Sequence, residues 1–272
     1  MNNEVLKRKK QRLDIFLVTK DIVETRSKAQ QLIRGGNVKV DGKILTKSGT
    51  LVQEEAFIEV DKDALPYVSR GGVKLAYALK VFNIDVRGKE CLDIGASTGG
   101  FTDCLLKHGA KFVYAVDVGH GQLHPSLKNN PCVLCLEGID IRNYSISQDK
   151  KVDFICIDVS FISLTLVLPK IKRFLSIDSE VIILIKPQFE VGHGMVNKGG
   201  VVKNKEVMYS SLNKVLMCAQ DLGIFPVGLV RSPVQGKEGN IEYLAHLRLE
   251  AVDKVNNPEC FISDLKRKEI EK

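Results

Sequence analysis

The segment VIILIKPQFE, residues 181–190, sets five apolar residues in a row and then Lys186 and Pro187. Such a run, rich in β-branched residues, reads as a central parallel strand. An ammonium rarely enters those surroundings alone, because burying it unpaired costs several kcal/mol or drives off its proton. A lysine at the carboxyl end of a buried strand is therefore a candidate for chemistry. Three more polar residues fall near the same sheet edge: Lys74 in the first turn of a helix, Asp158 ending FICID, and Glu242 near the start of GNIEYL. Each alone would be an ordinary surface ion pair. Two ammonium and two carboxylate groups at one edge could steer or transfer a proton.

The elements that must place them follow from about Gly71. VKLAYALKVF carries Leu75, Ala78, Leu79 and Phe82 on one face and predicts a helix, with Lys74 off the apolar stripe. Strand-like runs then recur at 91–95, 112–118, 132–138, 152–159, 181–186, 224–230 and 241–249, and helical patterns at 99–108, 163–174 and 203–221 separate several of them. Seven strands with helical crossovers predict an α/β fold, a doubly wound, seven-stranded Rossmann-like sheet whose ligands sit at the carboxyl ends of its strands.

CLDIGASTGGFTD, residues 91–103, is a strand, a glycine-rich turn and a helix start. Its glycines let backbone approach a ligand closely, and the helix adds a positive end. The spacing is neither G-x-G-x-x-G nor G-x-x-x-x-G-K-[ST]. Asp93-x-Gly95-x-Ser97-Thr98-Gly99-Gly100-Phe101 instead resembles motif I of S-adenosylmethionine-dependent methyltransferases, in the form found in FtsJ-like ribose methyltransferases. That resemblance implies S-adenosylmethionine as cofactor, with these residues around its methionine half; motif I alone leaves a nucleotide or flavin ligand open. Asp117 ends the second strand, where a carboxylate can take both ribose hydroxyls. Asp140 follows the third, where such enzymes contact the adenine amino group.

Lys74, Asp158, Lys186 and Glu242, in that chain order, resemble the catalytic tetrad of FtsJ-like 2′-O-methyltransferases. A ribose hydroxyl is a weak acid and a poor nucleophile, so the site must place it in line with the methyl and lower its pKa or remove its proton. A desolvated lysine pushed down by a second ammonium can do this, while carboxylates orient it and limit the depression. Lys186 is then the base or hydroxyl-orienting group, held by Asp158, with Lys74 and Glu242 completing the network. The [DNS]-P-P-[YFW] of amino-group methyltransferases is replaced here by Asp158-Val159-Ser160-Phe161, and Cys132, in the lone Pro-Cys, opens the third strand, away from that edge. Residues 186–202 are glycine-rich and predict a mobile lid; His193 within them could touch RNA, although a loop histidine is more often merely solvated.

The net charge of +7 lies wholly in residues 1–47, where 12 Lys and Arg face 5 Asp and Glu. A basic segment before a neutral body points to a polyanion-binding module. RLDIFLVTK and SKAQQLIRGG predict two helices, the second capped by Ser27 and stopped by Gly35 and Gly36; NVKVDGKIL predicts a tight hairpin at Asp41-Gly42, and AFIEV a further strand. This unit resembles the S4-like RNA-binding domain named for a ribosomal protein. RNA contacts are expected from Arg12, Arg26, Lys28, Arg34, Lys39 and Lys43, against the plainer reading of a solvated charged face.

Together VSRGGVKL, CLDIGASTGGFTD, IDVSFISL, IKPQFE and GNIEYL behind an S4-like unit resemble the TlyA, or hemolysin A-type, rRNA methyltransferases over about residues 12–249. The resemblance implies 2′-O-methylation of cytidine in ribosomal RNA of one or both subunits. The domains expected are residues 1–60 for RNA binding, a linker at 61–70, the methyltransferase at 71–250 and a loosely attached polar tail at 251–272. RNA or a ribosomal subunit is the expected partner, not DNA or a membrane. The family name invites a pore-forming reading, but no apolar span, long amphipathic helix or secretion signal supports it. An RNA-binding assembly factor without catalysis is the other alternative, against which the complete tetrad argues. Seven cysteines, several in apolar strands, fit reduced thiols in a cytoplasmic protein; the single C-x-x-C at 132–135 lacks the ligands that zinc needs, so no metal is expected.

Overall fold

Two separate sets of apolar residues organise the chain. The computed structural model divides into units Met1–Arg70 and Gly71–Lys272 and describes residues 10–23, 25–61, 66–144, 150–192, 194–197, 199–236, 239–249 and 257–270.

In the first unit β1 (Lys10–Arg12) leads into α1 (Leu13–Thr19), and α2 (Arg26–Arg34), β2 (Val38–Val40), β3 (Lys43–Ile44), β4 (Leu51–Gln53) and β5 (Ile58–Val60) follow. Leu13, Phe16 and Leu17 of α1 pack with Ala29, Leu32 and Ile33 of α2 over Val38 and Val40. The start of α2 differs from expectation. Thr25, not Ser27, is its cap: its backbone is extended and its side chain accepts from the Lys28 N–H at 3.2 Å, satisfying an otherwise orphaned amide. Asp41 and Gly42 both take positive φ, 49° and 76°, the twist that a two-residue turn needs to join β2 and β3. β5 pairs with the other side of β2, and β1 pairs antiparallel with β4.

The second unit runs α3 (Arg70–Val81), β6 (Glu90–Ile94), α4 (Gly100–Lys107), β7 (Phe112–Asp117), α5 (Pro125–Lys128), β8 (Val133–Glu137), β9 (Val152–Ile157), α6 (Leu164–Ile171), β10 (Leu175–Ile185), α7 (Pro187–Glu190), α8 (Lys205–Asp221), β11 (Phe225–Arg231), β12 (Tyr243–Arg248) and α9 (Pro258–Ile270). The sheet order is β11-β12-β10-β9-β6-β7-β8. It is mixed: β8, β7, β6, β9 and β10 are parallel, whereas β12 runs antiparallel to both β10 and β11. Near-continuous apolar runs such as Val181–Ile185 are buried on both faces, under α6 and α8 on one of them, as parallel strands require.

The tail is not loose. Ile262 and Leu265 of α9 join the main core, and Tyr209 of α8 donates to Glu269 at 2.9 Å. Apolar residues at i and i+3 form one narrow stripe, sufficient to dock a helix whose other faces are charged.

Candidate active site

Strand register assembles the four polar residues. Ile94 lies beside Ile157, Ile157 beside Ile183, and Ile185 opposite Tyr243. One step beyond these pairs stand Gly95, Asp158, Lys186 and Glu242, all at one edge. Glu242 reaches it because β12 is reversed, so the beginning of that strand meets the end of β10, which in turn lies beside β9. Lys186 Nζ lies 2.6 Å from Asp158 Oδ1 and donates to Ser160 Oγ at 2.9 Å; the Phe189 ring is 5.9 Å away. Lys74, from α3, is ion-paired with Glu242, and both are buried. The structure therefore shows two ion pairs on neighbouring strand ends. Ser160 is a partner that the sequence reading missed, although it lies two residues beyond Asp158.

The motif I loop takes three left-handed residues in five, Gly95 at φ +84°, Ser97 at +48° and Gly99 at +92°. A Cβ on Gly95 would stand 2.4 Å from the carbonyl oxygen of Asp158, so conformation and space both require glycine there. The turn also aims the Ser97 N–H at Asp117 Oδ2, 2.8 Å away, while the Gly119 N–H donates to Oδ1 at 2.7 Å. Asp117 is thus held by backbone on two sides, and each oxygen keeps acceptor capacity. Gly99 leaves room for Leu127 and Leu123; Gly100 and Phe101 are buried at the start of α4; Thr98 is exposed, and its carbonyl accepts from the His124 N–H.

Two expectations change. Asp93 cannot touch a ligand, being wholly buried under the loop with Oδ2 accepting from Thr102 at 2.6 Å; burial raises its pKa to about 7. It anchors α4 from beneath. Asp140 is already engaged: Arg142 donates through Nε and Nη2 to both carboxylate oxygens, and these bonds hold its pKa below the usual carboxylate range. An adenine amino group would share that carboxylate with an arginine.

A cleft of about 1270 Å³ opens at this edge, lined by Gly95, Ser97, Asp117, Asp140, Asp158 and Phe161 among others. Asp140 is paired with Arg142 and Asp158 with Lys186, so Asp117, held by backbone N–H groups alone, leaves the wall one negative charge in excess, which suits a cationic ligand. Gly95 lines the cleft without a side chain. These residues fit S-adenosylmethionine. Phe161 is 89% exposed at φ +63°, its ring 5.1 Å from that of Phe189; a bulky side chain in left-handed backbone is uncommon.

The glycine-rich segment after Lys186 begins as α7, and Gln188, Val191, Gly194 and Val196 line the cleft. Glu190 fixes it: buried, with pKa raised by that burial, it accepts from Ser163 Oγ and from the Leu164 N–H at the start of α6. Asn240 Nδ2 donates to the Gly200 carbonyl at 2.9 Å, bringing that segment to the entry of β12. His193 lies outside the described residues.

In the first unit Arg12 and Arg26 converge on Asp14. Lys28 lies on α2 and Arg34 closes it, while Lys39 and Lys43 stand on β2 and β3; Arg34, Lys39 and Lys43 are exposed.

The model of the FtsJ-like methyltransferases matches residues 67–249. The chain belongs to that family. An S4 domain model matches residues 11–58 of this FtsJ-like methyltransferase. It is 43% identical over 241 residues, 88% of this chain and 90% of the other, to a Mycobacterium tuberculosis protein named 16S/23S rRNA (cytidine-2′-O)-methyltransferase TlyA. It is 44% identical to Hemolysin A of Brachyspira hyodysenteriae, with 86% and 98% of the two chains covered. A solved structure titled as a hemolysin from Streptococcus thermophilus superposes with TM-score 0.73 at 37% identity, covering 97% of this chain and 99% of that one. No described helix of this FtsJ-like methyltransferase is long and apolar enough to cross a membrane.

Proposed function

We propose that this FtsJ-like methyltransferase methylates the 2′-hydroxyl of cytidine in ribosomal RNA of one or both subunits, with S-adenosylmethionine as donor. The observation that carries the reading is the position of Asp158. Its side chain lines the cleft and pairs with Lys186, and its carbonyl abuts Gly95 of the cofactor loop, so donor site and proton-handling group share one residue.

Bound S-adenosylmethionine would supply a methyl group on a sulfonium. Gly95, Ser97, Asp117 and Asp140 would hold it. Lys186, ion-paired with Asp158 and donating to Ser160 Oγ, would present an N–H to the substrate hydroxyl; this orients the oxygen lone pair and stabilises the negative charge that develops as the hydroxyl proton leaves to solvent in the open cleft. Lys74 and Glu242 brace the adjoining strand end. Exposed Phe161 offers a ring on which a base can stack. The first unit, with residues up to about 60, supplies RNA affinity.

Other acceptors fit less well. Carbon-5 methylation needs a reactive thiol at this edge, yet Cys91, Cys104 and Cys156 are buried, and burial pushes the Cys156 thiol far above its usual range. Cys132 precedes β8, at the opposite edge of the sheet. Digestion of RNA labelled by the protein, followed by nucleoside chromatography, tests the proposal. Label in 2′-O-methylcytidine is expected; label in a base-methylated nucleoside would overturn it.

A further inference from the structure

Among the described residues of the first unit, Asp14 is the buried charged group, with no exposed surface. Around it stand three side chains from three places in the sequence. Arg12 donates through Nε to Oδ1 at 2.9 Å and through Nη2 to Oδ2 at 3.0 Å; Arg26 Nε reaches Oδ2 at 2.9 Å, and Gln30 Nε2 reaches the same oxygen at 2.8 Å. A carboxylate has about four acceptor positions, so Asp14 is saturated and touches nothing outside the protein. The arginines are different: their side chains remain 43% and 55% exposed, and the bonds to Asp14 use only one edge of each planar fork. Gly49 lies under the Arg12 guanidinium, and backbone bonds from Leu13 to Thr50 and from Asp14 to Ser48 fix the carboxylate's own main chain.

We propose that Asp14 is a positioning residue for RNA recognition: it locks Arg12 and Arg26 side by side with their outer N–H groups presented to neighbouring phosphate oxygens. The inference rests on the reading of this unit as RNA-binding. Its physical basis is pre-organisation. A free arginine loses rotamer entropy when it meets a phosphate, whereas these two are ordered beforehand. Two guanidinium groups would also repel each other at this separation without the shared carboxylate.

Charge and geometry give opposite expectations, which makes the idea testable. Asp14→Asn adds one unit of positive charge to the unit. If bulk attraction governed binding, RNA affinity would rise.

The probe is a labelled, unmodified transcript of large-subunit ribosomal RNA, titrated by fluorescence anisotropy with the full chain across a range of salt. Asp14→Asn is expected to weaken binding roughly tenfold, by loss of ordered charge-assisted bonds, and to make the salt slope shallower by about one to two, at roughly 0.7–0.9 per phosphate contact. Arg26→Lys keeps the charge, sits on the surface and loses the fork, so it should weaken binding several-fold; it decides the question alone if Asp14→Asn fails to melt cooperatively. Wild-type affinity and slope in both variants, with Arg12→Ala/Arg26→Ala weakened, would overturn the positioning role and leave RNA binding standing. Wild-type affinity in Arg12→Ala/Arg26→Ala would remove both.

Discussion

Asp93→Asn isolates the energetic cost of the buried carboxylate beneath the cofactor loop. Burial is the largest cause of its raised pKa, with Thr102 opposing and Asp158 adding to the rise, and Asp93 Oδ1 has no hydrogen-bond partner. The native group gives up its proton near 7 and the unfolded one near 3.8. Three units of difference correspond to about 4 kcal/mol. Because the folded state binds the proton more tightly, Asp93 costs nothing below pH ~4, costs about 1.4 kcal/mol more per unit between ~4 and ~7, and costs its full amount above. His246 works in the opposite sense. Burial lowers its pKa from 6.5 to about 4, so its penalty is paid at low pH and vanishes as pH rises to about 6.5, nearly cancelling the Asp93 slope in the wild type. The informative quantity is therefore the difference between variant and wild type, from urea midpoints followed by circular dichroism, since the chain has no tryptophan. The gain in stability of Asp93→Asn should grow by about 4 kcal/mol from pH 4 to pH 8, offset by a pH-independent constant, because the amide oxygen can still accept from Thr102 while its NH2 group takes the place of the unpartnered Oδ1. A difference independent of pH would refute the reasoning.

Gly95→Ala puts a Cβ against the Asp158 carbonyl in left-handed backbone; calorimetry should show S-adenosylmethionine binding weakened at least ~10-fold, at a strain cost of about 1–3 kcal/mol. Glu242→Ala leaves the Lys74 ammonium buried without a partner, so chemical denaturation should show about 3–5 kcal/mol lost, whereas Glu242→Ala/Lys74→Met should recover part of it. Phe161→Ala removes an exposed ring: melting should stay within about 0.5 kcal/mol of wild type and cofactor affinity should hold, while methyl transfer to RNA falls.

Much of this architecture was legible because it depends on local pattern. The run at 181–185, the turn at 95–99 and the helix stripe of Leu75, Ala78 and Leu79 each declare one element, and the edge that gathers Asp158 and Lys186 follows from parallel order. What the pattern hides depends on partners distant in sequence. Nothing in CLDIG distinguishes a carboxylate facing the cleft from one enclosed beneath it, so Asp93 was misplaced. Asp140 looked free because Arg142, two residues on, could equally have pointed to solvent. The stripe of Ile262 and Leu265 is too narrow to announce a docked helix without the surface of α8 and β11 opposite it. Thr25 and Ser27 are both competent caps, and only the extended backbone at Thr25 decides between them. β1 and β4 are three residues each, too short for alternation to register.

The most direct test is transfer of labelled methyl from S-adenosylmethionine to unmodified small and large ribosomal subunits, assayed separately with wild type and Lys186→Ala. Label on at least one subunit with the wild type, lost with Lys186→Ala while calorimetry shows cofactor still bound, is the predicted result. Equal labelling by both proteins would contradict the role given to the Lys186–Asp158 pair, and no label on either subunit by a cofactor-bound wild type would contradict the ribosomal RNA assignment.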